Sequence, residues 1–231
     1  MKVVASLTTI PSRIDDECKR SIDSLLSQVD HIYLNVSKTY RRFQSQSIVI
    51  PDYLTKQEPY KSCVTVTVGE DYGSPSKYLG ALHLILPQDV YVFICDDDQE
   101  YHPELISKMK SRITSKQYIY QNRYDIFKQY GTSGGLIHGF VGLLMHSSML
   151  DNVAVFPLPE CARFIDDQWF SMYCKLYSYS IVSSGINDYS EIFQTLRHDA
   201  FELMGKDSLI DLGNRNEKIQ ELYAYFGGGG T

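Results

Sequence analysis

No apolar run in the sequence approaches the roughly 20 residues that a membrane-spanning helix needs, so no membrane span is expected. The N-terminal stretch MKVVASLTTIPSR has one lysine and a short apolar run broken by polar residues, which does not fit a cleaved signal peptide. The five cysteines form no C-x-x-C pair and leave an odd one over, which argues for buried thiols in a reducing compartment rather than for disulfides or a structural zinc. These absences predict a soluble, cytoplasmic protein.

Basic residues are too few and too scattered to form a surface for a phosphate backbone. Lysine and arginine number 22 against 28 aspartates and glutamates, and they cluster only in CKR, YRR and KMKSR. Nucleic acid is therefore not an expected partner. There is one tryptophan but there are 18 tyrosines, which suit polyhydroxylated ligands, although core packing explains them equally well. The length of 231 residues and the 43% hydrophobic content predict one globular domain.

Short β-branched runs alternate with longer amphipathic segments along the chain. Strands are predicted at 2–7, 31–37, 63–68, 89–95 and 117–122. Helices are predicted at 13–28, 74–86, 103–113 and 166–178, with a further helix near the end of the chain. Residues 122–165 read as irregular because they concentrate glycines. This order predicts an α/β fold with a mainly parallel sheet flanked by helices.

Three consecutive aspartates, Asp96, Asp97 and Asp98, follow the most apolar predicted strand. Open parallel sheets bind ligands beyond the carboxyl ends of their strands. In an extended chain Asp96 and Asp98 would share one face while Asp97 points away. Such convergent carboxylates repel each other unless a cation offsets their charge, and a hard divalent ion with oxygen ligands suits them. The run predicts a metal site; the alternative is a solvated acidic turn in which Asp98 or a neighbour caps the next helix.

Other acidic motifs fit the sequence less well. An EF-hand loop needs a glycine where Tyr101 stands and a glutamate where Ser107 stands. A haloacid-type phosphatase needs a small or β-branched residue at the position of Glu100. A two-metal nucleotidyltransferase stays open because GSPSKYLGA places Gly-Ser at a helix start, although Ser74 lies far from Asp96 for that motif.

The motifs TTIPSR, DYGSPSKYLGAL, CDDD, HGFVGLLM, DDQW and LRHD occur in the order of a small GT-A-fold glycosyltransferase. From about residue 3 to about residue 200, the chain resembles the sugar-transferase domains of large chlorella viruses. The resemblance implies a GT-A (Rossmann-like) domain over 1–226, with a nucleotide-sugar half to about residue 100 and an acceptor half from about residue 101. It implies the host cytoplasm as the location. The glycine-rich residues 227–231 read as a linker to a further domain.

The resemblance also implies an activity. It is an inverting, metal-dependent transfer of a hexose or 6-deoxyhexose, such as glucose or rhamnose, from a UDP-sugar to a glycan hydroxyl, with Mn²⁺ or Mg²⁺. Asp98 would bind the metal directly, Asp96 would hold the metal or the ribose, and Asp97 would support the turn. His198 would complete the metal site; alternatively it is a surface or packing residue.

The resemblance places donor-binding residues in two loops besides the aspartates. After the first and third strands these are Thr8, Ile10, Pro11, Arg13, Asp71, Tyr72, Ser76 and Lys77. An ordinary strand-to-helix loop is the alternative for the first group, and a helix N-cap at Ser76 or Ser74 is the alternative for the second. Arg163 and Arg197 would contact phosphate or simply form salt bridges.

Two further aspartates, Asp166 and Asp167, open a predicted helix. An inverting transferase needs a carboxylate that takes the proton of the acceptor hydroxyl. By the resemblance Asp167 is this base, while Asp166 caps the helix or orients its neighbour; either residue could instead be only an N-cap. Trp169 is a candidate sugar-stacking platform or a core residue. The rival functions are a sugar nucleotidyltransferase and a non-catalytic glycan-binding module with a structural ion.

Overall fold

A computed structural model describes residues 1–124, 136–196 and 214–227 of the chain. The strands are β1 Val3–Thr8, β2 His31–Ser37, β3 Val64–Gly69, β4 Tyr91–Ile94, β5 Gln99–Tyr101, β6 Tyr118–Gln121, β7 Leu143–His146, β8 Ser180–Ser183 and β9 Phe193–Thr195. The helices are α1 Glu17–Leu25, α2 Asp52–Lys56, α3 Tyr60–Cys63, α4 Ser76–Leu79, α5 Leu82–Ile85, α6 Leu105–Ser111, α7 Asp166–Leu176 and α8 Arg215–Tyr225. Among these helices, none combines the length and apolar character of a membrane span.

Seven strands form one twisted sheet in the order β3-β2-β1-β4-β7-β6-β8. Within this sheet β7 runs antiparallel to both of its neighbours, and every other adjacent pair is parallel. A small second sheet pairs β5 with β9. The predicted α/β fold with a mainly parallel, helix-flanked sheet is confirmed.

The central strands are buried on both faces, which explains their continuous apolar sequences. Side chains alternate along β1, so Val4 packs in one core cluster while Val3 and Ala5 pack in the other. The first cluster includes Trp169 of α7, and the second includes Ile22 of α1. The five cysteines carry free thiols; four are buried, as predicted, whereas Cys63 is half-buried.

Two sequence predictions fail locally for physical reasons. The helix predicted at 74–86 is divided into α4 and α5, and Gly80 between them lies so close to β2 that a Cβ would be 2.5 Å from Asn35 Oδ1. The region 122–165, predicted as irregular, contains β7, whose four residues are all buried. A run this short does not distinguish a strand from other buried chain.

Trp169 is a core residue and not a sugar platform. Its side chain is fully buried, and its indole N–H donates a hydrogen bond to the carbonyl oxygen of Pro157 at 2.9 Å. It contacts the rings of Tyr78 and Phe156. A fully buried indole cannot stack on a ligand.

Candidate active site

The candidate site lies beyond the carboxyl ends of β1 and β4, where the starts of α4 and α7 converge. The loop after β1 supplies Thr9 and Arg13, and the loop after β4 supplies the three aspartates. Lys77 lies in the first turn of α4, and Asp166 and Asp167 form the first turn of α7. The fold thus brings together residues from both halves of the chain.

Arg13 is the cation that offsets the charge of two of the aspartates. Its Nη1 lies 3.0 Å from Asp97 Oδ1 and 3.0 Å from Asp98 Oδ2. Thr9 donates a hydrogen bond from Oγ1 to Asp97 Oδ2 at 2.6 Å. Asp97 is buried and ties the loop after β4 to the loop after β1.

Asp97 does not point away from Asp98, so that part of the expectation is wrong: both carboxylates contact Arg13 Nη1 at 3.0 Å. β4 ends at Ile94, and Asp97 and Asp98 form a turn, so the alternation of an extended strand does not apply. Asp96 faces Lys77, whereas Asp98 shares Arg13 with Asp97. The solvated-turn alternative also fails, because Asp97 is 5% exposed and the N-cap position of α6 is Glu104.

The ion pair with Arg13 does not fully offset the negative charge around Asp98. Burial and the neighbouring Asp97 raise the pKa of Asp98 to about 6, although Arg13 opposes the rise. In the parts of the chain that the structure describes, no three metal-ligating side chains form a complete site. Magnesium-like ions commonly bind one or two carboxylates and complete their shell with substrate phosphates. Asp96 and Asp98 fit a metal that arrives with a diphosphate.

Lys77 connects the two acidic clusters. Its side chain is 4% exposed, and its Nζ lies 2.6 Å from Asp96 Oδ1 and 2.8 Å from Asp166 Oδ2. Burial alone would lower the pKa of Lys77, but Asp166 and Asp96 raise it well above its ordinary value. The side chain of Ser6 donates a hydrogen bond to the backbone carbonyl of Lys77 at 2.6 Å, which fixes the start of α4 on β1.

Asp167 has the properties of a base poised near neutral pH. Burial and the adjacent Asp166 raise its pKa to about 7, although Lys77 opposes the rise. The backbone N–H of Gly139 donates to Asp167 Oδ1 at 2.8 Å. A Cβ at Gly139 would lie 2.7 Å from Lys77 Nζ and 3.1 Å from Asp167 Oδ1, so a larger residue here would displace the Lys77 ammonium.

Neither aspartate of α7 is its N-cap. Ile165 occupies that position, and it makes no side-chain capping bond. Burial would raise the pKa of Asp166, but Lys77 holds it below the ordinary value, so Asp166 is the partner of the lysine. The capping alternative for Ser74 and Ser76 also fails, because Pro75 holds the N-cap position of α4.

Several predicted donor residues are held by the protein itself. Thr8 donates from Oγ1 to the carbonyl of Asn35 at 2.8 Å, while Ile10 and Pro11 are half-buried in the loop after β1. The carboxylate of Asp71 accepts hydrogen bonds from the N–H groups of Arg41 and Gly73 at 2.8 and 2.9 Å.

Arg163 forms a salt bridge, as the alternative prediction stated. Its Nε donates to Glu160 Oε2 at 2.8 Å, and its Nη1 donates to the backbone carbonyl of Asp71. Two other predicted residues, Arg197 and His198, lie outside the described residues.

Tyr72 and Ser76 line a groove of about 450 Å³ that runs along β3 beside α4 and α5. Asn35, Thr67 and Gly69 also line this groove, and it includes no lysine or arginine among the described residues. Ser76 is 3% exposed, and within the described chain its Oγ has no hydrogen-bond partner. The groove is therefore lined by threonine hydroxyls and the Asn35 amide, by the carboxylate of Glu70, and by apolar side chains that include Val36, Val66 and Leu79.

Three residues of the site were missed by sequence reasoning. They are Thr9, Asn35 and Gly139. Asn35 places a polar side chain inside the apolar strand β2. Because this side chain is only 1% exposed, its polar groups must be satisfied by hydrogen bonds within the protein. That interruption was the available signal; Thr9 and Gly139 offered none beyond their neighbours.

No sequence family and no curated protein matches the chain. Among solved structures, it is similar to glucosyl-3-phosphoglycerate synthase from Mycobacterium tuberculosis in complex with Mn²⁺, UDP and phosphoglyceric acid, at 12% identity and a TM-score of 0.52 over 98% of this chain and 78% of that one. It is also similar to a cytidylyltransferase from Leptospira borgpetersenii, at 11% identity and a TM-score of 0.54 over 97% and 94%. These likenesses show a GT-A-like fold, which nucleotide-sugar glycosyltransferases and nucleotidyltransferases share.

Proposed function

We propose that the protein is a metal-dependent, inverting glycosyltransferase that moves a hexose or 6-deoxyhexose from a UDP-sugar to a glycan hydroxyl. One observation carries the proposal: Lys77 forms ion pairs both with Asp96, which follows β4, and with Asp166 at the start of α7. The next residue of α7, Asp167, has a pKa of about 7. A donor site and a base are thus adjacent in one cleft. Residues to about 100 would bind the donor, and residues from about 101 to 226 would bind the acceptor.

At the donor side, Asp98 and Asp96 would hold the metal together with the diphosphate. When bound, the metal stabilises the charge that develops on the leaving diphosphate. Arg13 keeps Asp97 and Asp98 in place and adds a positive charge beside them. The glucosyl-3-phosphoglycerate synthase complex with Mn²⁺ and UDP-glucose, 13% identical with a TM-score of 0.52, supports this donor type.

At the acceptor side, Asp167 would take the proton of the attacking hydroxyl. A base works best when its pKa lies near the working pH, and the pKa of Asp167 is about 7. The Gly139 N–H fixes one carboxylate oxygen. In a single displacement the acceptor oxygen bonds to the anomeric carbon as the bond to the diphosphate breaks, which inverts the configuration.

The groove along β3 would take the uncharged nucleoside part of the donor. Its threonine hydroxyls and the Asn35 amide suit the polar edges of a base and ribose, its valine and leucine side chains suit the face of a base, and the carboxylate of Glu70 disfavours phosphate. Tyr72 and Ser76 were predicted donor contacts, and both line it.

Filling this groove is expected to weaken UDP binding. Thr65 and Thr67 line the groove, and alternation along β3 directs a side chain at residue 69 to the same face. A Cβ at Gly69 meets nothing within 4 Å, so a side chain can be added there, and Gly69→Phe is designed to fill the groove that Gly69 lines. UDP affinity measured by calorimetry should fall by about tenfold or more, or about 1.4 kcal/mol.

The matched control is Val49→Phe, because Val49 is 82% exposed and outside the groove. Both variants gain a phenyl ring, but only Gly69→Phe places it in the groove. Equal UDP affinity for the two variants would show that the nucleoside does not bind in this groove.

A sugar nucleotidyltransferase is the second candidate, and the similarity to the cytidylyltransferase favours it. The two functions differ in their products. With Mn²⁺ and a UDP-sugar, a glycosyltransferase transfers the sugar to an acceptor or to water and releases UDP, whereas a nucleotidyltransferase joins UTP to a sugar 1-phosphate and releases pyrophosphate. Pyrophosphate release without UDP release would contradict the proposal, and a protein that binds glycans but no UDP would be the non-catalytic module.

A further inference from the structure

Lys77 occupies a place that a metal-bound donor must use. Its buried ammonium contacts Asp96 at 2.6 Å, and Asp96 is one of the two carboxylates assigned to the metal under the proposed function. A divalent ion at Asp96 and an ammonium at the same oxygen repel each other strongly at such distances. The two cations therefore compete for Asp96.

We propose that Lys77 is a positioning residue that excludes free metal from Asp96, so that the metal binds only together with the donor diphosphate. This inference rests on the proposed function. The negative diphosphate offsets the repulsion between the metal and the ammonium, whereas the metal alone has no such compensation. Lys77 thus sets the order in which the site fills.

The ammonium has a defined place to go when the metal arrives. Asp166 Oδ2 lies 2.8 Å from it, and Gly139 lies close to both the Lys77 ammonium and the carboxylate of Asp167. The carboxylates that face Lys77 are therefore Asp96, Asp166 and Asp167. Release from Asp96 leaves the ammonium with the two carboxylates of α7, so it stays buried and paired.

The alternative is that Lys77 binds the donor phosphates directly, and it predicts the opposite result. Loss of a phosphate ligand weakens UDP binding and leaves binding of the metal alone unchanged. Loss of a competing cation instead strengthens binding of the metal alone. The sign of the change in Mn²⁺ affinity without nucleotide separates the two roles.

The experiment measures Mn²⁺ binding by electron paramagnetic resonance, first without nucleotide and then with UDP. Lys77→Met should bind Mn²⁺ alone about tenfold more tightly or better, as the removal of a unit charge at contact distance implies. Its affinity should depend less on UDP than that of the wild type. Lys116→Met is the control, because it removes an exposed lysine that pairs with Asp89.

A second variant keeps the test decisive if Lys77→Met does not fold. Asp166→Asn removes one of the two carboxylates in ion-pair contact with the ammonium, so Lys77 should hold Asp96 more tightly and Mn²⁺ alone should bind more weakly. The lost carboxylate charge by itself would weaken Mn²⁺ binding equally with and without UDP, so a loss that is larger without UDP supports the role of Lys77 and an equal loss contradicts it.

The outcomes are distinguishable. A wild type with UDP-dependent Mn²⁺ binding and variants of unchanged Mn²⁺ affinity would overturn the role of Lys77 alone. A wild type without any UDP-dependent Mn²⁺ binding would overturn the proposed function and this inference together.

Discussion

Asp167→Asn is expected to transfer sugar about 10² to 10⁴ times more slowly than the wild type, the usual contribution of a positioned base. Donor binding should stay near normal, because the amide keeps the shape of the carboxylate and Asp167 contacts Gly139 and not the loop after β4. Asparagine cannot accept the hydroxyl proton at neutral pH. A transfer assay and a UDP-sugar titration in the presence of Mn²⁺ test the two parts separately.

The pH dependence of kcat is a second test of the role of Asp167. Asp167 must be ionised to act, and its pKa is about 7, so the wild-type kcat should rise through that pH and level off above it. Asp151→Asn, an exposed aspartate of the same half, should keep both the rate and the profile. Transfer by Asp167→Asn at more than about a tenth of the normal rate would be too fast for a lost base. A product that retains the donor configuration would exclude the single displacement.

Asp98→Asn is expected to remove the part of UDP binding that depends on Mn²⁺. The loss should reach at least about ten- to a hundredfold in metal affinity, the range seen even for residues one shell away from a metal. The fold should survive, because burial and Asp97 already disfavour the charged form of Asp98. Calorimetric titration of UDP with and without Mn²⁺ measures the effect.

Glu100→Gln is the matched control for Asp98→Asn. It removes the same charge two residues away, where Glu100 is exposed and paired with Arg20. Its Mn²⁺-dependent UDP affinity should equal that of the wild type. If Asp98→Asn also keeps this affinity, Asp98 does not bind the metal.

Most strands of the sheet could be predicted because each is a short run of apolar and β-branched residues in the sequence. β2 begins and ends where predicted, and β1, β3, β4 and β6 differ from prediction by one or two residues at each end. β5, β8 and β9 were missed because strands of three or four residues with polar side chains show little periodicity. The resemblance to chlorella virus domains stays a prediction.

The position of the site was predictable, but the pairing within it was not. An acidic run after an apolar strand marks the carboxyl edge of a parallel sheet. That Asp96 pairs with Lys77 and Asp98 with Arg13 depends on a turn and on the packing of α4, and neither is encoded in the spacing of the aspartates. The link from Lys77 to Asp166 joins residues 89 positions apart, which one sequence alone does not reveal.

The ion pair between Lys77 and Asp166 joins residues that the ribosome makes at different times. Ribosomes add about 5–20 residues per second, so Lys77 leaves the synthesis site roughly 5 to 20 seconds before Asp166. Asp96 follows Lys77 by 19 positions and can pair with it early. The ammonium of Lys77 therefore gains its second carboxylate only after α7 has been made, so the pairing of this buried lysine waits for the C-terminal half of the chain.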